Sequence, residues 1–268
     1  IRQENTAKKG LSTTVSGLRA FKAKVPINTL ASHAIKPGFT QTDTVAHCGQ
    51  TTAGLYVNSL TLTDLFSGWT ENRALLGKKA LTVRSALVDI KNNLPFKLIA
   101  VNTDSGSEFI NEQVFNLFNP NPVFSQKEKI IFTRSRPYKK NDNCYVEQKN
   151  YTHVRQLFGY YRIEDSSLVN LMNDIYINYW NPLHNFFLPS QKLIEKNRVG
   201  SKIVKKYDSP KTPADRLLAS SHLSDDQKRL LRYNAQQLNP FHLSKQLELK
   251  LKVFFDLYNQ SITHKEVA

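Results

Sequence analysis

The sequence predicts an α/β protein: a mixed five-stranded sheet flanked by helices, with a helical carboxyl-terminal extension. Three observations carry this. Runs 39–48, 53–64 and 69–76 are rich in Thr, Val, Leu, Phe and Tyr, with turn residues between them, as in an antiparallel meander. Two short apolar runs, 97–101 and 130–132, then alternate with helical patterns. Beyond residue 165 the helical period takes over.

Residues 1–38 show no sustained period and are punctuated by Pro26, Pro37 and Gly38, so they read as an extended basic linker. The chain opens on Ile1, not Met, which leads us to expect an upstream segment. After the meander, Leu81, Ala86, Leu87 and Ile90 recur at helical spacing over 80–93, and Pro95 ends that helix. Asp104 falls just past the carboxyl end of the fourth strand, the edge where ligand groups gather in α/β sheets. A short helix over 109–118 and a last strand over 130–132 lead into a basic loop.

Asp142 or Asn143 is placed to cap a helix running from Cys144 to about Tyr161, with Val146, Val154, Leu157, Phe158 and Tyr161 as its apolar positions. Residues 39–165 form the expected core and 166–268 the helical region, with a basic linker at 192–211. In that region the aromatics of 168–187 read as core packing. Further helices open at Thr212-Pro213, at the capping box Ser224 to Gln227 and at Asn239-Pro240. The last repeats Leu243, Leu247, Leu251, Phe254, Phe255 and Tyr258, a face that buries against this subunit or another.

Composition narrows the function classes. In 268 residues, 40% hydrophobic, no stretch reaches the ~20 apolar residues of a membrane span and no signal peptide stands out, so a cytoplasmic protein is expected. Cys48 and Cys144 have no metal-ligand spacing and read as reduced thiols. The formal charge is +15, and residues 1–36 (net +6) and 192–211 (net +5) hold most of the excess. Basic arms flanking a more neutral core fit a polyanion gripped along its backbone, although excess charge also serves solubility.

Three acids carry the chemical reading: Asp43 in GFTQTDTVAHCG, Asp104 in IAVNTDSGSEF and Glu147 in RSRPYKKNDNCYVEQKNYTHVR. Brought together they would hold divalent cations against a phosphodiester, since hard Mg²⁺ prefers carboxylate oxygen and lets phosphate complete its shell. Taken alone, Glu147 in a first helical turn is also explained by the helix dipole.

The strings VNTDSGSEF and RSRPYKKNDNCYVEQKN, with LTDLFSGWTE upstream, resemble the catalytic core of the retroviral-integrase-like transposases of bacterial insertion sequences. The resemblance is strong over about 37–165 and continues more weakly through NPLHNFFLPSQKL and YDSPKTPADRLL. It implies an RNase H-like fold with an Asp, Asp, Glu triad at Asp43, Asp104 and Glu147. It further implies two Mg²⁺ ions, replaceable by Mn²⁺, with Asp43 bridging them, and work on double-stranded DNA by a homo-oligomer. A bacterial, nucleoid-associated location and an upstream helix-turn-helix segment follow as expectations. The chain departs from the pattern in places: 42 residues lie between Asp104 and Glu147, with the excess around 119–129. Ser105 replaces the usual Asn, Gln41 and Thr42 replace more apolar residues, and Val154 stands where a basic residue is common.

For DNA contact the expected set is the basic loop of Arg134, Arg136, Tyr138, Lys139 and Lys140, with Asn150 and Arg155 on the following helix. Around the triad, Glu108 reads as a first-turn helix acid, Asp64 and Glu71 as solvent-facing or turn acids, and His47 as a buried, hydrogen-bonded histidine. The expected function is that of a transposase that cuts and joins DNA; the alternatives are a nuclease that only hydrolyses and a DNA-binding module without catalysis.

Overall fold

A computed structural model describes residues 17–28, 30, 35–122, 128–136 and 139–267. Strands β1 (Phe39–Ala46), β2 (Val57–Asp64) and β3 (Thr70–Leu76) form the meander, followed by α2 (Ala80–Asn93), β4 (Ala100–Thr103), α3 (Glu112–Phe118) and β5 (Ile131–Arg134). The sheet order is β3-β2-β1-β4-β5. Pairing is antiparallel across β1/β2 and β2/β3 and parallel across β1/β4 and β4/β5. A meander continued by parallel strands on its β1 side is the RNase H-like arrangement, as expected.

The two faces of the sheet are built differently, because side chains alternate along each strand. On one face Leu60, Leu62 and Val101 pack with Val83, Leu87 and Ile90 of α2 and Val114 and Phe118 of α3. The other face is polar where it lies inside. In β2 the hydroxyls of Ser59, Thr61 and Thr63 are buried, and they bond His47, Asn72 and Thr70. Burying such hydroxyls costs free energy only when they lack partners, and beside them Val57 and Ala74 pack with Phe158 and Tyr176.

That polar face is covered by two helical rods. The first is α4 (Cys144–Lys149), a π-helical turn Asn150–Arg155 and α5 (Gln156–Phe158), preceded by a 3-10 turn Lys140–Asn143. Gly159, at φ +67°, ends it at Phe158, three residues earlier than the apolar pattern suggested. The second is α6 (Ser167–Asp174), a π-helical turn Ile175–Trp180 and α7 (Asn181–Phe186). The aromatics of this rod pack inward, with Phe158 against Tyr176 and Trp69 against Phe186.

The carboxyl-terminal helices are α8 (Pro213–Ala219), α9 (Asp225–Gln236) and α10 (Pro240–Val267), opened by capping boxes at Thr212 and Ser224 and by Asn239 at the residues expected. The α10 stripe of Leu243, Leu247, Phe254 and Tyr258 buries against Leu168, Met172 and Tyr176, so its partner is this subunit.

Two linker expectations are corrected. Part of 1–38 is helical: α1 (Gly17–Lys24) precedes Val25, and Phe21 and Val25 join the core beside Phe115. The basic stretch 192–211 folds into an antiparallel hairpin of β6 (Leu193–Val199) and β7 (Lys202–Tyr207) turning at Gly200. Its β-branched residues had been outweighed by its charge. The two acids expected to face solvent or sit in a turn are both buried, and Asp64 keeps a turn role. Asp64 accepts bonds from Gly38 N at 2.8 Å, Ser67 N at 2.7 Å and Ser67 Oγ at 2.6 Å, which closes the β2–β3 turn against the start of β1. Glu71 takes Trp69 Nε1, Arg73 and Asn181, because α7 covers that edge of the sheet.

Candidate active site

Period-2 alternation aims the first two acids. On β1, Gln41, Asp43 and Val45 share the face that carries Thr63, Thr61 and Ser59 of β2, the face under α4. The parallel register pairs Gln41 with Asn102 and Thr42 with Thr103, so Asp104 follows directly beside Asp43 at the end of the shorter strand. The fourth strand spans Ala100–Thr103 and so ends two residues later than expected, which leaves Asp104 immediately after its last residue.

Asp43 accepts from Thr44 N at 2.8 Å and from Asn150 Nδ2 at 2.8 Å. Burial pushes its pKa up, the Asp104 charge adds to this, and the two hydrogen bonds offset only part, leaving it at about 6; Glu147 contributes a smaller upward push. Asp104 is also raised, first by burial and then by Glu108, against the Gly106 N–H bond at 2.9 Å and the charges of Lys78 and Lys22. Glu147 lies on α4, exposed, within electrostatic reach of Asp43.

Glu108 is a fourth acid of the site. The helix expected over 109–118 begins at Glu112, capped by Asn111, so Glu108 stands well outside its first turn. It is buried and accepts from Lys78 Nζ at 2.8 Å and Thr44 Oγ1 at 3.3 Å. Gly106 leaves room for it: a Cβ there would meet Glu108 Oε2 at 2.5 Å and Asp104 Oδ1 at 3.0 Å.

Gln41, flagged only as more polar than the resemblance suggests, ties α4 to the sheet. Its Nε2 donates to Asp142 O at 2.7 Å and its Oε1 accepts from Val146 N at 3.3 Å, one residue before Glu147. Beside it, Ser135 Oγ lies 2.8 Å from Asn102 Oδ1 and 2.6 Å from Asn143 Oδ1. The expected side-chain cap of α4 is therefore absent: Asn143 is held by Ser135, and Asp142 by Arg136.

The residues expected to touch DNA are placed variously. Asn150 is drawn into the site by Asp43. Arg134 Nε donates to Val25 O at 3.0 Å, and its backbone bonds Pro26 and Asn28. Arg136 forms a two-point pair with Asp142, through Nε at 2.9 Å and Nη2 at 2.7 Å. Arg155 donates to Ala46 O at 3.0 Å and Gly159 O at 3.3 Å, with its guanidinium over the Tyr160 ring. Lys139 is exposed. Tyr138 and the Lys140 side chain lie outside the described residues. His47 is buried and bonded to Ser59, as expected, with burial pushing its pKa down to about 3.

The donor set suits a divalent cation in chemistry. Two carboxylates that repel one another are relieved by a positive charge, and hard cations take oxygen ligands. Two buried acceptors at the site, Ser105 Oγ and Asn150 Oδ1, have no hydrogen-bond partner among the described residues. In distance the set is open: among the described residues no three His, Cys, Asp or Glu side chains stand close enough to hold one ion.

No protein-family model matches the chain. The uncharacterized protein y4rM of Sinorhizobium fredii (strain NBRC 101917 / NGR234) is 35% identical over 198 residues, 74% of this chain and 54% of that protein. The chain thus spans about half the length of the curated relative it matches. Among solved structures, the catalytic core domain of BIV integrase is similar at 17% identity over 44% of this chain and 71% of that one, with a TM-score of 0.33. The simian T-cell lymphotropic virus intasome in complex with PP2A regulatory subunit B56 gamma is similar at 19% identity over 50% and 42%, with a TM-score of 0.37. The RNase H-like assignment rests on the strand order and directions, not on these partial superpositions. No helix among the described residues is long and apolar enough to cross a membrane.

Proposed function

We propose that the protein is a metal-dependent polynucleotidyl transferase of the insertion-sequence transposase kind, cutting DNA and joining a 3′ end to a target strand as a homo-oligomer. The observation that carries this is the placing of Asp43 and Asp104 side by side on one sheet face, with Asp43 raised to about 6. Asp43 and Asp104 would supply the sheet-side ligands for Mg²⁺ and Glu147 the helix-side ligand. The bound cations supply Lewis-acid activation of the attacking hydroxyl and relief of charge on the leaving oxygen. Gln41 holds the first turn of α4, and Asn150 orients Asp43 by its amide hydrogen bond.

The test is a strand-transfer assay with a pre-cut duplex end and Mg²⁺ or Mn²⁺. Glu147→Gln should keep DNA binding and lose joined product by at least ~100-fold, the scale set by removing an essential charge-stabilising group. Joining that survives this substitution would overturn the triad. The openness of the acidic set favours one other reading, a DNA-binding module without catalysis. It predicts salt-sensitive binding and no metal-dependent product from the unaltered chain, and cleavage without joining would mark a nuclease.

A further inference from the structure

The hairpin β6–β7 is exposed along both strands, on both faces. A lone two-stranded ribbon is marginal in water, yet this one has a built stem. Lys192 N donates to Asp208 Oδ1 at 2.6 Å, Arg216 pairs with Asp208 and donates to Ser190 O at 2.7 Å, and Ser190 bridges Lys211. Lys192 Nζ anchors this stem to Leu65 O and Phe66 O in the β2–β3 turn. The base is fastened and the ribbon projects.

Its charges are sorted by face. The register sets Lys196 opposite Lys205 and Arg198 opposite Ile203, so one face carries Lys196, Arg198 and Lys205 and no acid. The other face carries Lys202 and Lys206 together with the one acid of the strands, Glu195, which accepts from Asn197 at 2.7 Å. Like charges directly opposed across strands are destabilising, and an anion seated over this face removes that cost. Seven residues at about 3.3 Å each give a ribbon roughly 23 Å long, and a DNA major groove about 12 Å wide admits a two-stranded ribbon.

We infer that the β6–β7 ribbon is a duplex-DNA-binding element that enters a groove with its Lys196, Arg198 and Lys205 face against the phosphates. The choice of DNA as partner rests on the function proposed above; the anchored, acid-free face stands by itself.

The experiment is binding of the full chain to a fluorescein-labelled duplex, followed by anisotropy in EDTA across a KCl series. With metal removed, a failed active site cannot affect the result. Lys196→Gln/Arg198→Gln/Lys205→Gln should weaken binding at least tenfold and reduce the slope of log K against log [KCl] by up to about 2.7, roughly 0.9 per lost phosphate contact. Lys196→Arg/Lys205→Arg should retain the slope. Because these side chains are exposed, unchanged thermal unfolding is expected of the variants. A triple variant with the original slope overturns the inference, as does loss of binding to anionic vesicles with duplex binding untouched.

Discussion

Replacing Asp43 by Asn should stabilise the protein, and only above a definite pH. The carboxyl is displaced from 3.8 to about 6, first by burial and then by Asp104, which corresponds to about 3 kcal/mol. Below about pH 4 both folded and unfolded chains hold the proton, and the variant gains nothing. Between about pH 4 and 6 the unfolded chain releases the proton while the folded one keeps it, so native stability falls as pH rises. Above about pH 6 the loss is complete, and Asp43→Asn should then exceed the native chain by up to ~3 kcal/mol, or about 6–12 °C in melting temperature. The amide is accommodated, since Asn150 can turn its unpartnered Oδ1 toward it. Urea unfolding in EDTA from pH 4 to 8 measures the difference. A variant less stable than the native chain at pH 7.5, or an offset that does not vary with pH, would refute the reasoning. Added Mg²⁺ at a hundred times its Kd should return about 2.7 kcal/mol to the native chain and nothing to the variant.

Gly38→Ala should destabilise by about 3 kcal/mol or more in thermal unfolding, because φ is +102° and a Cβ would meet Lys97 O at 2.3 Å. Arg73→Met leaves Glu71 buried without the partner now at 3.1 Å, and frees Asp89 from its 2.6 Å bond; a loss of ~3–5 kcal/mol in urea unfolding is expected. Gln41→Leu should cost about 1–3 kcal/mol and speed amide hydrogen exchange at Val146, since both of its bonds to the α4 entry are lost. An unchanged exchange rate would remove Gln41 from any role in positioning Glu147.

The parts of this fold legible in the sequence are those set by short-range pattern. The meander, α2 and the capped starts of α8 and α9 each follow from residues within one turn or one strand, and the parity of β1 puts Gln41, Asp43 and Val45 on one face. What escaped depends on partners far along the chain. Gln41 meets Asp142 across 101 residues, and Asn150 meets Asp43 across 107. Asp64 and Glu71 looked exposed because their burial requires Gly38 and Asn181, which no local pattern announces. The ribbon was hidden for a different reason: its charge matches that of a solvated linker, and only the Asp208–Arg216 stem makes the strands worth forming.

Glu108 shows how far the site itself was readable. Four residues past Asp104, in a Gly-containing run, it had the features of a helix-entry acid. The helix instead takes Asn111 as its cap and starts at Glu112, because Asn111 Oδ1 accepts from Val114 N at 3.0 Å. Glu108 is thereby left in the turn, folded back over Gly106 toward Asp104 and neutralised by Lys78. Its negative charge raises Asp104, while Lys78 lowers it. Glu108→Gln should therefore lower the Asp104 pKa only if Lys78 keeps its place over the site. Should Lys78 swing out to solvent instead, the two effects oppose and the Asp104 pKa stays close to where it was. Carboxyl ¹³C NMR titration of the variant, set beside Lys78→Met, separates the two cases.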